Sequence, residues 1–173
     1  GAVGAPTTWV MSNHDGVRHA SRLGLSRPGT RPNGIDADSE QPDEALGLRR
    51  ARALIMLTLA LPGSAYLYQG EELGLPDHTT MPARYRQDPT FHRTNGEQLG
   101  RDGCRVPLPW RANAPAFGFN TTGECWLPQP ESYARYAADL QLEDEHSTLE
   151  LYRRLLAMRH EYGLGHGELV WQA

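Results

Sequence analysis

The hydrophobic and polar positions alternate between short aromatic runs and longer helical patterns. Thr7-Thr8-Trp9-Val10-Met11 is a β-branched and aromatic run that gives way to Ser12-Asn13-His14-Asp15-Gly16, which reads as a buried strand with a polar exit turn. Residues 26–42 hold three prolines and two glycines and are predicted to be loop. A helix is expected over 43–61. Asp43 and Glu44 suit its N-terminal dipole, and the 53–61 stretch is apolar nearly all round except at Thr58, so burial on several sides is expected there. Pro62-Gly63 ends it, and the aromatic run 64–69 predicts a second strand. Strand, helix, strand with short joins is the pattern of a parallel βαβ unit.

Residues 75–146 show little periodicity. A loop of that length inside a compact domain is abnormal unless it has a function, and Tyr85, Phe91, Trp110, Phe117, Phe119 and Trp126 give it an aromatic load, so it is expected to be ordered and functional. A last helix is predicted over 147–162. Ser147-Thr148-Leu149-Glu150 forms a capping box, Glu150 is placed to pair with Arg154, and Gly163 supplies the stop. Leu169-Val170-Trp171 reads as the start of a further strand.

Composition narrows the function classes. The chain of 173 residues is too short for a complete (β/α)8 barrel, which takes about 250. Its 17 basic residues are all arginine, against 21 acidic ones, and a net charge of −4 makes the chain a poor candidate for a dedicated nucleic-acid binder. The longest apolar stretch, 51–61, contains Arg52 and is too short to span a membrane. The cysteines Cys104 and Cys125 make no disulfide framework. A single bridge between them stays open, with free thiols as the default reading, and no Cys/His spacing suggests a metal. No cofactor is expected. The first and last residues look like cuts in a longer chain, and a cytoplasmic location is expected on the understanding that a signal peptide could precede residue 1.

Three segments carry candidate chemistry. His14-Asp15 sits at a strand exit, where catalytic groups collect in parallel α/β folds. It could serve a polar ligand, or Asp15 could simply cap a turn amide. Glu71-Glu72 follows the second strand. Facing carboxylates about 5–10 Å apart can cleave a glycosidic bond, but sequence neighbours rarely face one another, so carboxylates holding loop amides or arginines are the preferred reading. Residues 84–111 hold six arginines (Arg84, Arg86, Arg93, Arg101, Arg105, Arg111) but only Asp88, Glu97 and Asp102 as acids, so some guanidinium partners must lie elsewhere in the protein or in a ligand.

The segments WVMSNHDGVRHASRLG (9–24), LALPGSAYLYQGEELGLP (59–76), QDPTFHRTNGEQLGRDGCRVPLPW (87–110), WLPQP (126–130) and STLELYRRLLAMR (147–159) occur together and in order. In this the chain resembles the C-terminal part of the catalytic domain of bacterial α-glucosidases of the α-amylase superfamily, glycoside hydrolase family 13, of the oligo-1,6-glucosidase and maltose-cleaving type. The resemblance implies an α/β fold: the last two β/α units of a (β/α)8 TIM barrel over residues 1–163, with a long connection between strand eight and helix eight. The beginning of a C-terminal β domain would follow over 164–173. It also implies retaining hydrolysis of terminal α-linked glucose from short malto- or isomalto-oligosaccharides. Asp15 would be the transition-state-stabilising carboxylate. His14 and Arg101 would bind the sugar, and Arg18 would lie near the leaving-group sugar. The nucleophile and the general acid would belong to absent strands, so the piece alone would be inactive. Gly16 and Val17 depart from the Gln-Pro of oligo-1,6-glucosidases, which leaves linkage preference open. Two alternatives share the fold: a trehalose synthase-like or other transglucosylase, and a noncatalytic scaffold like the heavy subunits of amino-acid transporters. The expected partner is an oligosaccharide substrate, with no nucleic acid and no membrane; oligomeric state is left open.

Overall fold

The structure is a computed structural model that describes residues 6–30 and 33–170. Strands β1 (Thr8–Val10) and β2 (Ser64–Tyr66) run parallel, with Trp9 opposite Ala65. Both are shorter than predicted, because among the described residues each has only the other to pair with. Between them stand the short helix α1 (His19–Arg22), which the sequence pattern did not predict, and the crossover helix α2 (Glu44–Ala60). Asp43 caps α2 by accepting the Leu46 N–H at 2.9 Å. Two glycines let these elements close up. Gly47 lies where a Cβ would come 2.1 Å from the Ala20 carbonyl oxygen of α1, and Gly63, at φ +101°, turns the chain into β2 where a Cβ would come 2.1 Å from the Thr7 carbonyl oxygen.

The expectation that the second half of α2 is buried on several sides is corrected. Ile55, Thr58 and Leu59 are buried, while Ala53, Met56, Leu57 and Ala60 are exposed. One face packs on Tyr152, Leu151 and Leu155, while Met56 and Leu57 on the other are about half exposed. Thr58, the apparent polar exception, belongs to the buried face because its hydroxyl donates to the Leu54 carbonyl.

The long connection is ordered, as expected, and it has more structure than a loop. It contains α3 (Pro89–Arg93), α4 (Ala138–Leu142) and several 3₁₀ turns. It also contributes a core of its own, in which Leu73, Leu75, Met81, Val106, Leu108, Leu127 and Tyr133 are buried together. Helix α5 (Thr148–Glu161) begins where expected, with Ser147 Oγ accepting the Glu150 N–H. Two details differ. The Ser147 N–H goes to the Asp144 carbonyl, so the capping box is only half made, and the Glu150 carboxylate pairs with Arg153 at 2.6 Å instead of Arg154. After α5, residues Leu164–His166 form a 3₁₀ turn and residues 167–170 form no strand; Trp171, the end of the expected strand, lies outside the described residues. Cys104 and Cys125 are free thiols.

Candidate functional site

The turn that leaves β1 carries His14 and Asp15 to the surface. Asn13 Oδ1 accepts the Asp15 N–H at 2.8 Å and shapes the turn. Asp15 is about half exposed, and its Oδ1 accepts from Arg101 Nη1 at 2.6 Å and from Arg105 Nη2 at 3.3 Å. Its Oδ2 lies 3.5 Å from His14 Nε2. Arg105 also donates through Nε to the His14 carbonyl at 2.9 Å. The structure thus brings together three of the four residues singled out from the sequence: His14, Asp15 and Arg101.

Behind the two arginines stands Asp88, fully buried. Its Oδ2 accepts from Arg101 Nε at 2.8 Å, from the Arg101 backbone N–H at 3.0 Å and from Arg105 Nη1 at 3.4 Å. Its Oδ1 caps α3 through the Thr90 N–H at 2.8 Å. Burial works to raise the Asp88 pKa, but the hydrogen bonds from Arg101 and Thr90 outweigh it and hold the carboxyl well below the usual range. The bond to Asp88 in turn raises the Arg101 pKa. Asp102 fixes the buttress one layer further in, accepting the Gln87 and Asp88 N–H groups at 2.7 and 2.9 Å.

Arg18 lies apart from this group. It is 2% exposed and directs its guanidinium inward: Nη1 to the Gln69 carbonyl at 2.8 Å, Nη2 to the Cys104 carbonyl at 2.9 Å, with the plane 4.7 Å from the Tyr68 ring centroid. Its backbone N–H donates to the buried Asp77 at 2.7 Å. Of the adjacent acids after β2, Glu72 holds the Gly70 amide at 2.8 Å, the preferred reading for such a pair, and Glu71 is buried.

Sequence reasoning missed Asp88 and Arg105 as members of the site. The one signal was charge arithmetic: the arginines of 84–111 outnumber their local acids. The structure resolves the excess partly through Asp15, contributed by the β1 exit, and partly through aromatic faces, with Arg84 over Tyr85 and Arg86 over Phe91. Among the described residues no group of three or more His, Cys, Asp or Glu is placed to hold a metal ion, and no helix is long and apolar enough to cross a membrane. Chemically, the site is an ionisable carboxylate held in place by two guanidinium groups and open to solvent on one side. It suits contact with a cationic centre or with sugar hydroxyls.

The family described as alpha amylase, catalytic domain matches residues 3–167. A probable alpha-glucosidase of Rhizobium meliloti is 36% identical over 151 residues, covering 87% of this chain and 24% of the relative. Maltase A1 of Drosophila melanogaster is 31% identical over 176 residues, covering 98% of this chain and 26% of the relative. Among solved structures, the alpha-glucosyl transfer enzyme XgtA superposes with a TM-score of 0.72 at 33% identity, covering 94% of this chain and 27% of that one. The trehalulose synthase MutB superposes with a TM-score of 0.67 at 26% identity, covering 93% and 29%. The chain therefore spans about a quarter of the length of the curated relatives it matches. On the breadth of the family match and the similarity of these relatives, the chain belongs to the alpha-amylase catalytic-domain family.

Proposed function

We propose that this chain is the C-terminal part of the (β/α)8 catalytic barrel of an α-glucosidase. In this reading β1 and β2 are strands seven and eight, α2 lies between them and α5 is helix eight. The segment with its own core forms one wall of the active-site mouth. Residues 1–163 are barrel, and 164–173 begin a C-terminal β domain. The exposed apolar face of α2 (Met56, Leu57) supports the assignment, since barrel neighbours from outside this chain would cover it.

The reaction is retaining hydrolysis of a terminal α-glucosidic bond in short malto- or isomalto-oligosaccharides, in the cytoplasm. A nucleophile and a general acid come from strands outside the chain. Asp15 faces the oxocarbenium-like transition state. Its pairing with Arg101 and Arg105 fixes where its carboxylate points, and in this reading it serves as a preorganised negative charge facing the sugar. His14 and Arg101 hold the sugar. Arg18, whose two terminal nitrogens donate to backbone carbonyls, supports the floor of the site instead of touching the substrate. The observation that carries the reading is the 2.6 Å Arg101–Asp15 pair, buttressed by buried Asp88 at a strand exit.

A second reading is favoured by the likeness to XgtA and MutB: the same site passes the glucosyl group to a sugar acceptor instead of to water. One experiment separates the two. The complete protein is incubated with maltose and with 4-nitrophenyl α-glucoside, and the products are resolved by chromatography and anomeric NMR. Free glucose released first as the α-anomer supports hydrolysis, and new oligosaccharides as the main product support transfer. Unchanged kcat in Asp15→Asn would refute both.

A further inference from the structure

Glu71 is a buried acid with no role in the site described above. It follows β2 and its side chain is 1% exposed. Its Oε2 lies 3.5 Å from the Tyr152 hydroxyl of α5, while its Oε1 accepts no hydrogen bond. Nearby Arg18 Nε is also buried without a partner. Native proteins leave few buried polar atoms unpaired, and a pair of them in one cluster calls for a reason.

The geometry around Glu71 supplies one. Its Oε1 lies 3.9 Å from His19 Nδ1. That nitrogen is 2.8 Å from Ser12 Oγ, which in turn accepts the His19 N–H at 2.8 Å. Ser12 opens the turn that ends at Asp15. Arg22 steadies the same stretch by donating to the Met11 and Val17 carbonyls. The turn is thus held on its outer side by Arg101 and Arg105, and on its inner side by a Ser12–His19 pair with Glu71 behind it.

We infer that Glu71 is a positioning residue for Asp15, acting through His19 and Ser12. This rests on the reading of Asp15 as the carboxylate that faces the reacting sugar. Glu71 itself is sealed from solvent and touches no substrate.

The charges around it bear on how it works. His19, Arg18 and Arg22 face it from α1 and the turn before it, Tyr152 faces it from α5, and Glu72 and Asp77 lie on its own segment. Burial pushes the Glu71 carboxyl up to about 7, against the pull of the Tyr68 and Ser12 amides, the Arg18 charge and the Tyr152 hydroxyl. Burial, helped by Arg22 and Arg18, pushes His19 down to about 4. Around neutrality the imidazole is neutral and Glu71 is the group that changes charge. Ionised Glu71 favours a proton on the facing His19 nitrogen, and protonated Glu71 does not. The hydrogen bond to Ser12, and with it the seat of Asp15, therefore responds to pH near 7.

The test uses the complete protein with 4-nitrophenyl α-glucoside. Glu71→Gln keeps the shape and removes the charge; Ser12→Ala cuts the last link and serves if the first variant fails to fold. Each should lower kcat about 10- to 100-fold, as a small displacement of a catalytic group does, with KM changed less than threefold. Glu71→Gln should also erase the limb of the kcat–pH profile near 7. Wild-type kcat and pH profile in a folded variant would overturn the inference, even if its melting temperature falls, because that pattern marks a merely structural residue. A wild-type protein without glucosidase or transfer activity would overturn the reading of Asp15 itself, and this inference with it.

Discussion

Replacing Asp88 by Asn removes one charge and leaves the side-chain shape intact, so its effect can be worked from the hydrogen bonds alone. The Asp88 carboxylate serves four donors: Thr90 N–H on one oxygen, and Arg101 N–H, Arg101 Nε and Arg105 Nη1 on the other. An amide has a single oxygen. Whichever way it turns, its NH₂ group faces buried donors. Hydrogen bonds to a charged group contribute about 1.5–3 kcal/mol each. Both guanidinium groups are about one-third exposed, so water compensates part of the loss. The net local cost should be about 2–4 kcal/mol. At about 1.36 kcal/mol per tenfold, amide exchange by local opening should quicken about 30- to 900-fold.

Hydrogen exchange read by mass spectrometry on peptides from residues 86–105 of the complete protein measures this, with α2 peptides as the control. The sign with pH is fixed as well. Asp88 has a folded pKa below its unfolded one, so its contribution is complete above the ordinary carboxylate value of about 4 and is lost as pH falls toward the folded pKa. The gap between wild type and variant should therefore shrink below pH 4. Less than threefold acceleration at pH 7, or equal acceleration in α2, would refute this account of Asp88.

Three further outcomes follow from the fold. The 173-residue chain alone should release no 4-nitrophenol from the α-glucoside above the rate of Asp15→Asn, because Asp15 cannot act as nucleophile and acid together. The isolated chain should also associate, as read by light scattering on a size-exclusion column, since the outer edges of β1 and β2 pair with no strand among the described residues and Tyr66, Met56 and Leu57 are 62%, 51% and 53% exposed; a monomer with a sharp melt would contradict this. Gly47→Ala in the complete protein should lower the melting temperature of the domain, because overpacking against the Ala20 carbonyl costs about 1–3 kcal/mol and exceeds the gain of about 1 kcal/mol in helix propensity.

The parts legible in the sequence are those set by local rules. Asp43 with Glu44, through the helix dipole, and the Ser147 cap announce the two long helices because helix starts are set by three or four neighbouring residues. The βαβ order follows from two aromatic runs flanking one helix. Burial around α2 was misread because composition gives the apolarity of a surface but not which neighbours cover it. The core inside the long connection escaped notice because Leu75, Val106, Leu127 and Tyr133 have no common period and meet only after the chain has folded back several times. For the site, His14, Asp15 and Arg101 stood out by motif. Asp88 did not: its partners Arg101 and Arg105 lie 13 and 17 residues away, and nothing local marks an acid that holds two distant arginines.

The buried Arg18 side chain bears on the timing of synthesis. Its two carbonyl partners lie 51 and 86 residues downstream. At about 5–20 residues per second, a ribosome needs about 4–17 s to make the second of them after Arg18 itself. During that interval the guanidinium has no place in a dry interior and must stay hydrated, so the turn beyond β1 cannot settle. The Arg18 guanidinium therefore cannot complete its final set of hydrogen bonds until Cys104 has been made.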